Sequence, residues 1–225
     1  MMKINIITIF PDLFEVPLAT SIPARAREKG LVDYSVVDLR AFTHDRHQTV
    51  DDYPYGGGAG MVMKPEPFFE AVESLDRMGP IILLSARGRP FTHQDAVRLA
   101  VEQDLTLLCG HYKDVDQRVA DHLATEELSI GDYVRSGGEL GALVVTDAVV
   151  RLLPGVLGDH ESASSDSFYE DGRISAPSYT RPADFRGFRV PQVLQSGDHA
   201  RIQEWRESMS ERMTRERGED SRGEE

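Results

Sequence analysis

Residues 80–110 read PIILLSARGRPFTHQDAVRLAVEQDLTLLCG, and their pattern decides the fold. Pro80–Leu84 is a short apolar run ended by Ser85-Ala86-Arg87-Gly88, as in a strand covered on both faces. Thr92–Glu102 carries apolar residues at helical spacing behind a threonine suited to an N-cap. Leu105–Cys109 is a second apolar strand and stops at Gly110. Downstream, Asp116–Leu123 reads as helix, Glu127–Ile130 as strand and Gly131–Gly138 as loop. Glu139–Leu153 is then a long apolar helix closed by Pro154-Gly155. Upstream, Lys3–Phe10 and Val32–Leu39 alternate as strands, while Ser21–Lys29 and Pro65–Leu75 read as helices. Strands alternating with helices predict an α/β fold with a mainly parallel sheet, whose ligands gather outside the carboxyl ends of the strands. The loops after Leu84, Cys109 and Ile130 fall at such ends.

The 225 residues suffice for one sizeable core and a small second domain. No apolar run reaches the roughly 20 residues that span a bilayer, and Met1–Phe10 lacks the cleavage site of a signal peptide. Cys109 is the only cysteine, which excludes an internal disulfide or a cysteine zinc cluster and makes the cytoplasm the default location. A net charge of −13 opposes indiscriminate nucleic-acid binding, because phosphate contacts need cations. Only four of the 25 basic residues are lysine, however, and arginine is the better bidentate reader of phosphates and bases.

Five segments carry candidate chemistry. Ser129–Glu139 (SIGDYVRSGGE) joins a strand end to a helix start through three glycines. Such a turn lets backbone groups approach a ligand closely, with Ile130 or Tyr133 packing on it; a plain tight turn is the competing reading. Tyr55–Met61 (YGGGAGM) lacks the Lys-Ser/Thr of a nucleotide-binding P-loop and reads as a loop that orders on a partner. His44-Asp45-Arg46-His47 does not match the spacing of a helical metal pair, so no metal is assigned and an RNA-facing loop is expected. Arg151 sits on the apolar helix one turn after Asp147, either as an ion-pair partner or aimed into a crevice. Residues 160–177 (HESASSDSFYEDGRISAP) read as a linker in which Asp166 is, on pattern alone, a solvated acid. Val190–Arg217 is expected to be helical, with Gly197 and Asp198 opening the helix that carries Trp205.

Together these segments closely resemble the bacterial tRNA (guanine-N1)-methyltransferases of the SPOUT class. The matching pieces run in order: Ile9–Pro11, FTHDRH at Phe42–His47, VDDYPYGGGAGM at Val50–Met61, CGHY at Cys109–Tyr112, and DQR at Asp116–Arg118. They continue with SIGDYVRSGGE, PGVLG at Pro154–Gly158, DSF at Asp166–Phe168, YTRP at Tyr179–Pro182 and SGDHA at Ser196–Ala200. The resemblance implies a deep trefoil knot in residues 1–158, a linker over 159–177 carrying the catalytic acid, and a helical tRNA-binding domain over 178–225. It implies S-adenosylmethionine as cofactor, bound by Leu84, Ser85, Gly110, Tyr112, Lys113, Ile130, Gly131, Asp132, Tyr133, Val134, Arg135, Gly137 and Gly138. Asp166 matches the family's general base for guanine N1, and Arg151 the residue stabilising charge on O6. The implied substrate is guanosine 37 in the anticodon stem-loop of tRNA, held by His44, Arg46, His47, Gly56, Gly57, Gly58, Tyr179, Arg181, Ser196, His199 and Arg201. The family acts as a homodimer with shared active sites, and some members use Mg²⁺.

The sequence departs from the family at several places. Lys113-Asp114 stands where Glu-Gly is common, which either disfavours the sulfonium or redirects Lys113 to tRNA phosphate. Arg135 replaces a usual leucine, and Ala59 and Gly141 replace usual prolines. A non-catalytic RNA-binding protein of the same fold, or a methyltransferase of another RNA, are the alternative functions.

Overall fold

Five parallel strands form the backbone of the amino-terminal unit of this computed structural model, which describes residues 1–157, 166–169 and 172–220. Gly158, much of the expected linker (159–165 and 170–171) and the tail 221–225 lie outside the described residues. The chain divides into two units, Met1–Gly158 and Asp159–Glu225.

The sheet of the first unit uses β1 (Met2–Thr8), β2 (Val32–Asp38), β5 (Ile81–Pro90), β6 (Asp104–Cys109) and β8 (Glu126–Ser129), in the spatial order β2-β1-β6-β5-β8. Alternating side chains build two cores from the same strands. Ile4, Ile6, Ile82, Leu84, Leu105, Leu107 and Leu128 face one way, towards α2 (Ser21–Glu28), α4 (His93–Ala100) and α6 (Glu139–Val150). Ile7, Leu83 and Leu108 face the other, towards α3 (Pro65–Glu73) and α5 (Gln117–His122). Burial on both faces is why these strands read as unbroken apolar runs. The α/β reading with a mainly parallel sheet therefore holds.

Most boundaries shift by one or two residues, and three differences are larger. The strand read as Pro80–Leu84 continues to Pro90, because after a four-residue bulge Arg89 and Pro90 rejoin β8 beside Leu128 and Ser129. Gly88 lies in that bulge, where a Cβ would stand 2.5 Å from the backbone of Glu127 and Leu128. The aperiodic Thr43–Met63 contains β3 (Asp51–Asp52) and β4 (Val62–Met63), held by pairing with each other and with β7 (Asp114–Val115). The helix read to Leu153 ends at Val150. Thr92 does cap α4: its hydroxyl accepts from the Asp95 amide, and the Asp95 carboxylate accepts from the Thr92 amide.

The second unit holds a hairpin of β9 (Asp184–Phe185) and β10 (Phe188–Arg189), then α7 (Gln192–Gln195) and α8 (His199–Asp220). Gly187, at φ 86°, makes the hairpin turn, and its amide donates to the Asp184 carboxylate at 2.9 Å. Asp198 opens α8 by accepting the Arg201 amide at 3.2 Å.

Cys109 is fully buried, and burial pushes its thiol well above the ordinary range; the Glu139 carboxylate adds to the rise and the Arg135 guanidinium opposes it. Its contribution to stability is complete below the unfolded thiol's pKa of about 8.5 and is lost as pH climbs beyond that value. Thiol reagents will therefore modify the denatured chain and spare the native one. In urea melts, Leu107→Ala should cost about 2–5 kcal/mol, whereas Val101→Ala, at a residue 79% exposed, should stay within about 0.5 kcal/mol.

Candidate functional site

The loops after β5, β6 and β8 leave the sheet at their carboxyl ends, and two of them are fused by backbone contact. The Gly138 amide donates to the Gly110 carbonyl at 2.8 Å, and His111 forms a bridge with Gly137. Gly138 is buried so closely that a Cβ would meet the Cys109 Cα at 2.8 Å and the Gly110 nitrogen at 3.0 Å. Only glycine allows that approach, because backbone atoms cannot swing aside. Gly138 is also the N-cap of α6, so the contact sets where that helix begins.

Residues 130–136 arch out from this junction. Ser129 Oγ accepts from the Gly131 amide at 3.2 Å, and Gly131 has φ 148°. The Tyr133 ring folds back onto Gly131, and its hydroxyl donates to the Ile130 carbonyl at 3.2 Å. Tyr133 therefore staples its own loop. Asp132 and Val134 are exposed, Val134 to 94%. Among the described residues none accepts a hydrogen bond from the amides of Asp132, Val134 or Arg135. Leu84 is buried in β5, and Ser85 Oγ accepts the Arg87 amide at 3.1 Å. Tyr112, at φ 60°, meets His111 edge-on with ring centroids 5.1 Å apart.

Arg135 explains a departure that the sequence left obscure. Its guanidinium lies against the bare backbone of Gly141, where a Cβ would stand 2.5 Å from Nη1 and 3.3 Å from Cζ. Nη1 is buried with no acceptor among the described residues. The arginine thus pins the arch to the first turn of α6, through space that any side chain at position 141 would contest. The two substitutions form one packing solution.

Sequence reading passed over Glu139, seen only as a helix start. Its carboxylate is 3% exposed, accepts from Thr8 Oγ1 at 2.9 Å, and faces His111 Nδ1 at 3.9 Å. Glutamate next to a glycine pair at a helix start was the available signal, but only the β1 terminus brings Thr8 to it.

The other residues of interest divide between the two units. In the first, Asp45 accepts from the amides of His47 and Thr49 and from the Thr49 hydroxyl, and those bonds hold its carboxyl at about 2. That turn leaves Arg46 and His47 exposed, while His44 meets Glu70 at 2.9 Å. A cleft of about 1070 Å³ runs past His44, Tyr53, Tyr55, Arg87 and Arg118. Gly56, Gly57 and Gly58 lie exposed beside it, and Lys113 packs on Gly58 and Gly60. Arg151 is half-buried at the C-cap of α6. In the second unit, Asp166 lines a cavity of about 1360 Å³ together with Tyr179, Arg181, Trp205 and Arg206. The Tyr179 and Trp205 ring centroids are 6.3 Å apart. Ser196 Oγ donates to the Val193 carbonyl, and His199 and Arg201 are exposed on the first turn of α8. Among the described residues no group of three or more His, Cys, Asp and Glu is disposed to hold a metal ion, and no helix is long and apolar enough to cross a membrane.

A parallel sheet with a backbone cradle at its carboxyl ends defines an α/β ligand-binding domain. Residues 2–222 match the family model described as tRNA (Guanine-1)-methyltransferase TrmD. Proteins named tRNA (guanine-N(1)-)-methyltransferase are similar throughout: the one from Geobacillus kaustophilus is 54% identical over 216 residues, 95% of this chain and 88% of the relative. The Shouchella clausii protein is 54% identical over 220 residues, covering 96% and 89%, and the Anoxybacillus flavithermus protein 52% over 217 residues, covering 95% and 88%. The chain belongs to this family of enzymes.

A double-mutant cycle tests the Arg135–Gly141 packing. With Arg135→Leu in place, Gly141→Ala should stabilise by about 1 kcal/mol through helix propensity. With Arg135 present that gain should disappear, leaving a coupling of at least about 0.5 kcal/mol in chemical melts.

Proposed function

We propose that this enzyme transfers a methyl group from S-adenosylmethionine to N1 of guanosine 37 in tRNA. Family membership along residues 2–222 is the observation that carries this reading. The arch of residues 130–138 suits the cofactor: its unanswered amides at Asp132, Val134 and Arg135 can pair with an adenine edge, and the close packing at Gly138 fixes where the arch begins and ends. When bound, the cofactor supplies an electrophilic sulfonium methyl. Leu84, Ser85, Gly110 and Ile130–Arg135 would hold it.

Guanine N1 carries a proton at neutral pH, so the chain must remove it. Asp166 is an exposed carboxylate on the cavity wall near Tyr179 and Arg181, suited to take that proton from a base swung out of its stack. Arg151 would stabilise the charge that develops on O6. The geometry of α6 bears on how these groups meet. Gly138 and Arg151 cap opposite ends of α6, thirteen steps apart and so roughly 20 Å at about 1.5 Å per residue, beyond the reach of one side chain. In this reading Arg151 serves the arch of a second copy, in a homodimer with shared sites. Leu140 and Val144, 61% and 47% exposed and one turn apart on α6, offer an apolar face for that contact. The second unit would grip the anticodon stem-loop through Tyr179, Arg181, Ser196, His199 and Arg201, and such a substrate puts the activity in the cytoplasm.

Asp166→Asn should lower single-turnover methyl transfer by about 10²–10⁴-fold while calorimetry finds cofactor binding intact. An unchanged rate would remove Asp166 as the base, and equal transfer to tRNA bearing A at the target would remove guanine N1 as the acceptor. Mixing Arg151→Ala chains with Asp166→Asn chains reports which subunit supplies each group. If they come from different subunits, the mixed dimer has one intact pair and regains activity that neither parent has; if both come from one subunit, every site lacks one group and the mixture stays inactive.

A further inference from the structure

The Tyr53–Met61 loop and Lys113 assemble hydrogen-bond donors that the protein itself does not answer. Gly56, Gly57, Gly58 and Gly60 have φ of 82°, 77°, 113° and 91°, backbone conformations that favour glycine. The Gly57 amide closes the turn on the Pro54 carbonyl at 3.2 Å. Among the described residues nothing accepts a hydrogen bond from the amides of Gly56, Gly58 or Gly60, and all three glycines are exposed.

Lys113 joins this loop from the connection between β6 and β7. Its amide donates to the Met61 carbonyl at 3.1 Å, and its stem lies along Gly60, where a Cβ would come 3.1 Å from the lysine Cβ. Its Nζ stands 3.4 Å from the point a Gly58 Cβ would occupy. The nearby acids are engaged elsewhere. Asp114 pairs with Arg87 at 3.2 Å, Asp116 with Arg118 at 2.8 Å, and Asp52 accepts the Tyr53 amide at 2.8 Å. Among the described residues no carboxylate pairs with Lys113.

One ammonium beside several open amides, without an acceptor among them, is the arrangement that binds an oxyanion. Flanking it, Tyr53 and Tyr55 are 80% and 102% exposed, ring faces to which a base can stack. We propose that Lys113 and the amides of Gly56, Gly58 and Gly60 form a phosphodiester site for single-stranded RNA, with Tyr53 and Tyr55 stacking the bases on either side. The site rests on the reading of tRNA as substrate and assigns Lys113 to the RNA instead of the cofactor. It also gives an acidic chain a local means of holding a polyanion, through donors in place of net charge.

The cofactor's carboxylate shares this anionic chemistry, so the test measures both ligands on the full-length protein. Binding of unmodified tRNA is followed by fluorescence anisotropy across a KCl series, and S-adenosylmethionine binding by calorimetry, for wild type, Lys113→Gln and Lys113→Arg. Lys113→Gln should weaken tRNA binding several-fold and flatten the slope of log K against log salt by about 0.7, the value for one phosphate of a single strand. Lys113→Arg should keep the wild-type slope, and the cofactor dissociation constant should stay within about twofold in both variants. Tyr55→Leu should weaken tRNA binding and leave the slope unchanged, since stacking releases no counterion. Weakened cofactor binding with an unchanged tRNA slope would overturn the proposal in favour of a carboxylate site, and no change in either would overturn it outright. A Lys113-dependent slope in a wild type that methylates no tRNA would sink the proposed reaction and leave the RNA site standing.

Discussion

The 2.8 Å bond from the Gly138 amide to the Gly110 carbonyl, made possible by the missing Cβ at position 138, is the constraint on which the rest depends. It ties the loop leaving β6 to the loop leaving β8, two strands with β5 between them. Once tied, residues 130–137 can only arch away from the sheet, and that arch carries the open amides. The same junction starts α6. The helix then fixes two further features by its length and periodicity: Arg151 at the far end, and Leu140 and Val144 on an uncovered face. A side chain at 138 would part the loops, and arch, helix phase and arginine would all move together.

Charge is handled by local pairing. Arg89 contacts Asp95 at 2.6 Å and Glu126 at 2.7 Å, and Arg98 contacts the same Glu126 at 2.7 Å. Those bonds hold the Asp95 carboxyl far below the usual carboxylate range and raise both guanidinium groups. This network joins α4 to the edge strand β8, and being half-exposed it contributes modestly to stability. Its consequence is distributional. Arginines are committed along the sheet edge, while among the described residues no carboxylate pairs with Lys113 at the glycine loop. A net charge of −13 therefore says little about the field at that loop, because the potential near a surface follows the nearest unpaired groups.

Several residues that the resemblance left unexplained are accommodated in pairs. Arg135 is accommodated by Gly141, since the guanidinium fills the volume a ring or methyl would take. Lys113 and Asp114 separate in direction, the lysine onto Gly58 and Gly60 and the aspartate onto Arg87. Each change looks disruptive alone because its partner is distant in sequence or on another strand. Position-by-position comparison cannot detect such compensation, whereas packing exposes it at once.

The order of strands and helices was legible in the sequence, because strands buried on both faces must be apolar throughout and Thr92 and Gly138 mark helix starts by local chemistry. The glycine pair at 137–138 was legible as a ligand turn or a plain turn, and resemblance along the chain named the reaction to expect. Three things needed the tertiary structure. β3, β4 and β7 are two-residue strands whose pairing partners lie up to about fifty positions away, so no local period announces them. Glu139 meets Thr8 across 131 residues, a bond that only the strand order creates. Lys113 finds the glycine loop through the same small sheet. By itself the sequence determined which residues would be buried and where the backbone could turn, since those follow from side-chain polarity and the absence of a Cβ. Which charges would meet, and which donors would be left facing solvent, was decided only when the strands took their places.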